Sequence, residues 1–177
     1  MQRIGFLINP IAGMGGRVGL KGSDGVVDLA IARGATPSAG GRASEMLRAL
    51  TRQLVDDPTA PEFLWITCAG EMGEDALRSA GFEKIKVVYH AHAKASASDT
   101  REAARAFIEA GATLVVFCGG DGTARDVCSV TGSETPILGV PAGVKMYSGV
   151  FGISPARTAD VLLSYLEGRF GLVDHVV

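Results

Sequence analysis

Five short apolar runs recur along the chain: Ile4 to Ile8, Phe63 to Cys68, Ile85 to Tyr89, Leu114 to Cys118 and Ile137 to Val140. Each has the length of a strand and is rich in β-branched or aromatic residues. Helical patterns follow them, over Ser44 to Val55, Gly73 to Ala80, Asp99 to Ala110, Thr123 to Val130 and Ala156 to Leu166. In the third of these, Ala103, Ala106, Phe107 and Ala110 fall three and four residues apart, so one face can pack on a sheet. Strands that are apolar on both faces and alternate with helices predict a parallel sheet covered on both sides. The expected fold is a three-layer, doubly wound α/β domain with a mainly parallel sheet and right-handed crossovers.

At 177 residues the chain suits one such domain, expected over residues 1–170. The last stretch, Gly171 to Val177, reads as a strand that leads towards a second domain. Leu172, Val173, Val176 and Val177 would give it an apolar face, and assembly into a homo-oligomer is the expectation. The segment Gly13 to Gly41 fits neither period well, apart from a short helix at Val26 to Ala32, and a connection this long points to function.

Composition narrows the partners. Apolar residues make up 47% against 20% charged, and no apolar run approaches the roughly 20 residues that span a bilayer. The start lacks a signal-peptide pattern, so a cytoplasmic location is expected. A net charge of −2 with scattered basic residues offers no footprint for nucleic acid. Cys68, Cys118 and Cys128 share no Cys-x-x-Cys spacing and read as reduced thiols, two of them in strongly apolar stretches, with a zinc site as the alternative.

The sharpest chemical signal is Leu114 to Val127, an apolar strand that runs into Gly119-Gly120-Asp121-Gly122-Thr123 and then a helix. In open α/β sheets ligands bind at this carboxyl end of the strands. Glycines at 119, 120 and 122 remove side chains that would hold a phosphate away, the helix start supplies free N–H donors, and Thr123 adds a hydroxyl. Asp121 is the odd residue, because a carboxylate beside phosphates is repelled unless a metal intervenes or a hydroxyl donates to it. It is a candidate general base or magnesium-site residue, and the plainer alternative is a helix cap.

A second glycine loop, Asn9 to Arg17, leaves the first strand. It is neither the dinucleotide fingerprint, since Val18 stands where the third glycine belongs, nor a P-loop. Its candidate phosphate contacts are Asn9, Gly13, Gly15 and Gly16, against the alternative of a plain turn. A third loop, Gly139 to Gly149, offers Gly143 and one cation, Lys145, which could neutralise phosphate charge or simply be solvated.

Together these loops resemble the superfamily of NAD kinases and diacylglycerol kinases, whose nucleotide site is built around Gly-Gly-Asp-Gly-Thr. Gly119 to Val127 with Pro141 to Phe151 looks more specifically like the predicted ATP- or polyphosphate-dependent NAD kinases of the AcoX-like branch. The resemblance extends to Asn9 to Gly25, Met72 to Asp75 and Ser98 to Thr100. It implies transfer of a phosphoryl group from ATP or polyphosphate, with magnesium, to the 2′-hydroxyl of NAD, and it casts Asp121 as the residue that deprotonates that hydroxyl. Family members continue into a β-rich second domain carrying an Asn-Glu type motif; this sequence resembles the first domain and shows no such motif.

Weaker signals read as structure. His90 and His92 lie two apart at a strand end and could share a metal, but lack an evident third ligand. Glu71, Glu74 and Asp75 suit a helix start, with Glu74 kept in view by the resemblance, and Ser98, Asp99 and Thr100 read as an N-cap cluster. Two further functions share these loops: a kinase of a lipid or sugar-like alcohol, and a nucleotide-binding module without catalysis.

Overall fold

The computed structural model describes residues 1–13, 37–55, 57–91, 96–143 and 146–169. Its sheet contains strands β1 (Gln2–Ile8), β2 (Phe63–Cys68), β3 (Ile85–Tyr89), β4 (Leu114–Gly119) and β5 (Ile137–Pro141) in the order β3-β2-β1-β4-β5. Every neighbouring pair is parallel. The helices are α1 (Ala39–Val55), α2 (Glu74–Ser79), α3 (Ala97–Glu109), α4 (Asp121–Thr131) and α5 (Pro155–Leu166), with a short 3-10 turn at Gly70–Met72 before α2. The expected doubly wound α/β fold is the one observed.

Period-two side-chain alternation distributes each central strand between two cores. Ile4, Phe6 and Ile8 of β1 and Leu114, Val116 and Cys118 of β4 face α1, α2 and α5. Leu7, Val115 and Phe117 face α3 and α4. On α1 the buried Ala39, Ala43, Met46, Leu47 and Leu50 form one stripe at helical spacing. On the other face Phe107 of α3 rests on β1, where a Cβ on Gly5 would lie 2.7 Å from its ring. Truncating a buried phenylalanine of this kind costs about 3–5 kcal/mol.

Three helix starts differ from the sequence reading by two residues or more. α1 begins at Ala39 instead of Ser44, because Gly40 and Gly41 lie on its open side and burial of Ala39 and Ala43 carries the helix through them. α3 is capped by Ser96, whose hydroxyl accepts the Asp99 N–H while the Asp99 carboxylate accepts the Ser96 N–H, a reciprocal box that begins two residues before the Ser98 cluster. α4 begins at Asp121, two residues before Thr123. The proposed helix at Val26 to Ala32 and the strand at Gly171 to Val177 lie outside the described residues.

The sheet order places the topological switch between β1 and β4: the chain leaves β1 towards β2 on one side and returns to β4 on the other. Turns after these two strands diverge, which opens a crevice at their carboxyl ends. The free edge of β5 is covered where the Gly139 N–H donates to the Val150 carbonyl at 2.8 Å and the Gly152 N–H donates to the Gly139 carbonyl at 3.0 Å. Gly139 is required there, since a Cβ would fall 2.4 Å from the Phe151 ring.

Candidate functional site

Turns after β1, β4 and β5 meet at the switch point. The Asn9 N–H donates to the Cys118 carbonyl at 2.9 Å, which brings the β1 turn against the end of β4, and the Ala142 N–H donates to the Gly119 carbonyl at 3.1 Å. Ser38, just before α1, donates its hydroxyl to the Ala142 carbonyl at 2.6 Å. Gly13 has φ +82°, and a Cβ there would lie 2.0 Å from Ser38 Oγ and 2.4 Å from the Ala142 carbonyl oxygen. The turn therefore needs glycine at this place for internal reasons.

The Asn9 side chain crosses from the end of β1 to α4. Its Oδ1 accepts the Ile11 N–H at 3.2 Å and its Nδ2 donates to Thr123 Oγ1 at 3.0 Å. Thr123 is buried, and its side chain occupies the space that a Cβ on Gly119 would need, at 2.4 to 2.7 Å. Gly120 differs from both glycines. It is the N-cap of α4 with extended backbone, φ −114° and ψ −172°, and among the described residues a Cβ there would meet nothing within 4 Å. Neither its conformation nor packing requires glycine, so its bare backbone borders open space at the helix start.

No side chain caps α4. The helix cannot pair the N–H groups of its first turn, at Asp121, Gly122 and Thr123, and its dipole favours negative charge there. Asp121 is not the cap that the plainer reading suggested: it is the first residue of α4, and its carboxylate turns to the loop after β5. Oδ1 accepts the Ser148 hydroxyl at 2.8 Å, the Ser148 N–H at 3.1 Å and the Tyr147 N–H at 3.2 Å. Among the described residues Oδ2 receives only the Tyr147 N–H, at 3.1 Å. Burial pushes the Asp121 carboxyl up, but the Ser148 amide and hydroxyl and the Tyr147 amide outweigh it with help from Arg125, and hold it below the ordinary value of 3.8. Tyr147 contributes its backbone alone, its side chain being 85% exposed.

Of the candidate residues, the structure thus gathers Asn9, Gly13, Gly119, Gly120, Asp121, Gly122, Thr123 and Gly143 around one switch point. Gly143 has no steric reason to be glycine, its nearest neighbour being Met146 Cε at 3.4 Å. Gly15, Gly16 and Lys145 lie outside the described residues. Ser148 and Tyr147 were missed as individual residues, since nothing in the spacing shows that an amide and a hydroxyl 26 and 27 positions on would converge on Asp121.

The remaining signals stand apart from this site. Glu74 pairs with Arg78 at 2.8 Å within α2, as charge compensation would have it. Asp99 completes the capping box of α3 and accepts the Tyr89 hydroxyl at 2.9 Å. Among the described residues no three His, Cys, Asp or Glu come together to hold a metal ion; His90 is exposed and His92 lies outside those residues. All three cysteines are free, and burial pushes both the Cys68 and Cys118 thiols up to about 12.

The parallel sheet in this order, with glycine turns and a helix start at its switch point, defines a doubly wound α/β domain, a class of fold in which ligands bind at the carboxyl edge of the strands. A family model described as the ATP-NAD kinase N-terminal domain matches residues 4–170, and the chain belongs to the NAD kinase family. No curated protein and no solved structure matched the chain. Among the described residues no helix is long and apolar enough to cross a membrane.

Proposed function

We propose that this chain is the phosphotransferase domain of an NAD kinase, placing ATP or polyphosphate against the 2′-hydroxyl of NAD to give NADP, with the closest likeness to the AcoX-like branch of a superfamily shared with diacylglycerol kinases. The observation that carries this reading is the position of Asp121, a carboxylate beside the unpaired N–H groups of α4 and the open backbone of Gly120. Phosphate oxygens bind the first-turn amides and the Thr123 hydroxyl. The substrate 2′-oxygen attacks the terminal phosphorus, the bond from that phosphorus to its bridging oxygen breaks, and the leaving group departs with the electron pair. The 2′-hydroxyl proton passes to Asp121 Oδ2, the carboxylate oxygen with accepting capacity to spare. A base of low pKa suits this step, because a loose transition state asks more for alignment than for a strong base.

Magnesium fits the donor set in one form only. It keeps several waters, and through one of these it would reach Asp121, the carboxylate beside the free amides of α4, leaving Oδ2 to the acceptor hydroxyl. The donor's own phosphates would supply most of its ligands, and the ion would neutralise their charge.

A second reading is favoured by one feature. The hydrogen bonds already made by Asp121 are those of a structural staple, which suits a nucleotide-binding module without catalysis. A kinase of another alcohol would share every contact described here and differ in its acceptor pocket. Calorimetric titration with NAD and with ATP separately, followed by assay of NADP formation from magnesium-ATP and from polyphosphate, separates the three. Binding of both ligands with NADP formed supports the proposal. Binding of ATP without NADP formation contradicts it.

A further inference from the structure

The Asp121 carboxylate is held by a segment that is itself anchored. Val150 and Gly152 are hydrogen-bonded to the edge of β5 through Gly139, and the Phe151 ring fills the space beside Gly139 and packs edge-on against Phe117 at 5.4 Å. Ser148 stands two residues before that clamp, and its amide and hydroxyl both donate to the same oxygen, Oδ1. With the Tyr147 amide added, among the described residues Oδ1 accepts three bonds while Oδ2 accepts one shared bond. A carboxylate has about four acceptor positions, two on each oxygen, so Oδ1 is saturated.

We propose that Ser148 is a positioning residue for proton transfer: by saturating Oδ1 from an anchored segment, it orients the Asp121 carboxylate and reserves Oδ2 for the hydroxyl of the acceptor. The inference rests on Asp121 being the proton acceptor. Without the Ser148 hydroxyl the half-buried carboxylate loses its shortest bond and keeps only the longer ones from the Ser148 and Tyr147 amides, and a proton acceptor displaced by a fraction of an ångström loses alignment with the attacking oxygen. A loop staple with no part in alignment would affect folding or ligand affinity instead.

The test compares Ser148→Ala and Ser148→Thr with the parent chain in NAD phosphorylation, alone and combined with Asp121→Asn. Ser148→Ala is expected to lower kcat by about tenfold or more, with KM for NAD and donor within about threefold. Threonine, which keeps the hydroxyl, restores kcat, and Ser148→Ala costs nothing further once Asp121 is asparagine. An unchanged kcat in Ser148→Ala, or a loss carried by KM and not restored by threonine, overturns the positioning role. If Asp121→Asn retains full activity, it is the parent reading that fails. Should the parent chain form no NADP, amide exchange at Tyr147 decides: faster exchange by tenfold in Ser148→Ala supports the hold on Asp121, and unchanged exchange overturns it.

Discussion

The Asn9 side-chain amide donates to the Thr123 hydroxyl at 3.0 Å, tying the turn after β1 to the first turn of α4. The Ile11 N–H can only donate, so the Asn9 atom facing it is the oxygen and the other is the amino group. Thr123 must then accept from Asn9, which leaves its own proton for a further acceptor. Asn9→Asp replaces the amino donor by an oxygen and makes Thr123 turn its proton inward. Affinity for a phosphate-bearing nucleotide is expected to fall by about tenfold or more, since a bond to a charged acceptor is worth about 1.5–3 kcal/mol. Thr123→Val should lose a similar amount and Thr123→Ser little. Calorimetric titration of ATP checks the series, and equal affinity throughout would remove this pair from the site.

Two adjacent glycines should respond in opposite ways. Gly119→Ala forces a Cβ to within 2.4 Å of Thr123 and should destabilise the fold by about 1–3 kcal/mol, read from urea unfolding. A Cβ at Gly120 meets nothing among the described residues within 4 Å and the backbone there is extended, as valine prefers, so in Gly120→Val the fold should survive while nucleotide binding is lost. A folded Gly120→Val protein with unchanged affinity would place the phosphates elsewhere.

Thiol reactivity should follow burial. Cys68 and Cys118 are buried and pushed up to about 12, so at pH 8 alkylation of the native protein should occur at Cys128, with the other two reacting only on unfolding. Peptide mapping after brief iodoacetamide treatment reads this directly, and early labelling of Cys118 would contradict the packing of α1 on β4.

Acid should loosen the same connections that order the site. Asp160 is held below 3.8 by the Arg157 side chain and by Gln53, which reaches it from α1, and Asp121 is likewise lowered. A carboxylate with a folded pKa below its unfolded one adds stability that is present above 3.8 and lost as pH falls through the lower folded value. Urea midpoints should therefore hold steady from pH 7 to about 5 and drop below about 4. Asp160→Asn should flatten that drop, and an unaltered acid limb would show that the α1–α5 link contributes nothing.

The strands were legible because burial on both faces leaves a near-continuous apolar run, and β2 and β3 match their expected limits at Phe63–Cys68 and Ile85–Tyr89. The start of α1 was not, because Gly40 and Gly41 read as breakers, and only the packing of Ala39 and Ala43 shows why the helix continues through them. In the site, the string from Gly119 to Thr123 could be read as a strand, turn and helix, yet its glycines divide by cause: Gly119 makes room for Thr123, whereas Gly120 makes room for nothing among the described residues. The partner of Asp121 was hidden because a local pattern carries no record of which distant amide or hydroxyl folds back upon it.

The central claim is that Asp121 takes the proton of the acceptor hydroxyl, and Asp121→Asn tests it most directly. Asparagine keeps one oxygen for the Ser148 contacts and cannot take a proton at neutral pH, so the fold should remain while base catalysis goes. In NADP formation at saturating donor and NAD, kcat should fall by about 100 to 10,000-fold with KM little changed. Full retention of kcat in the folded variant would contradict the account and leave Asp121 as a staple between α4 and the loop after β5.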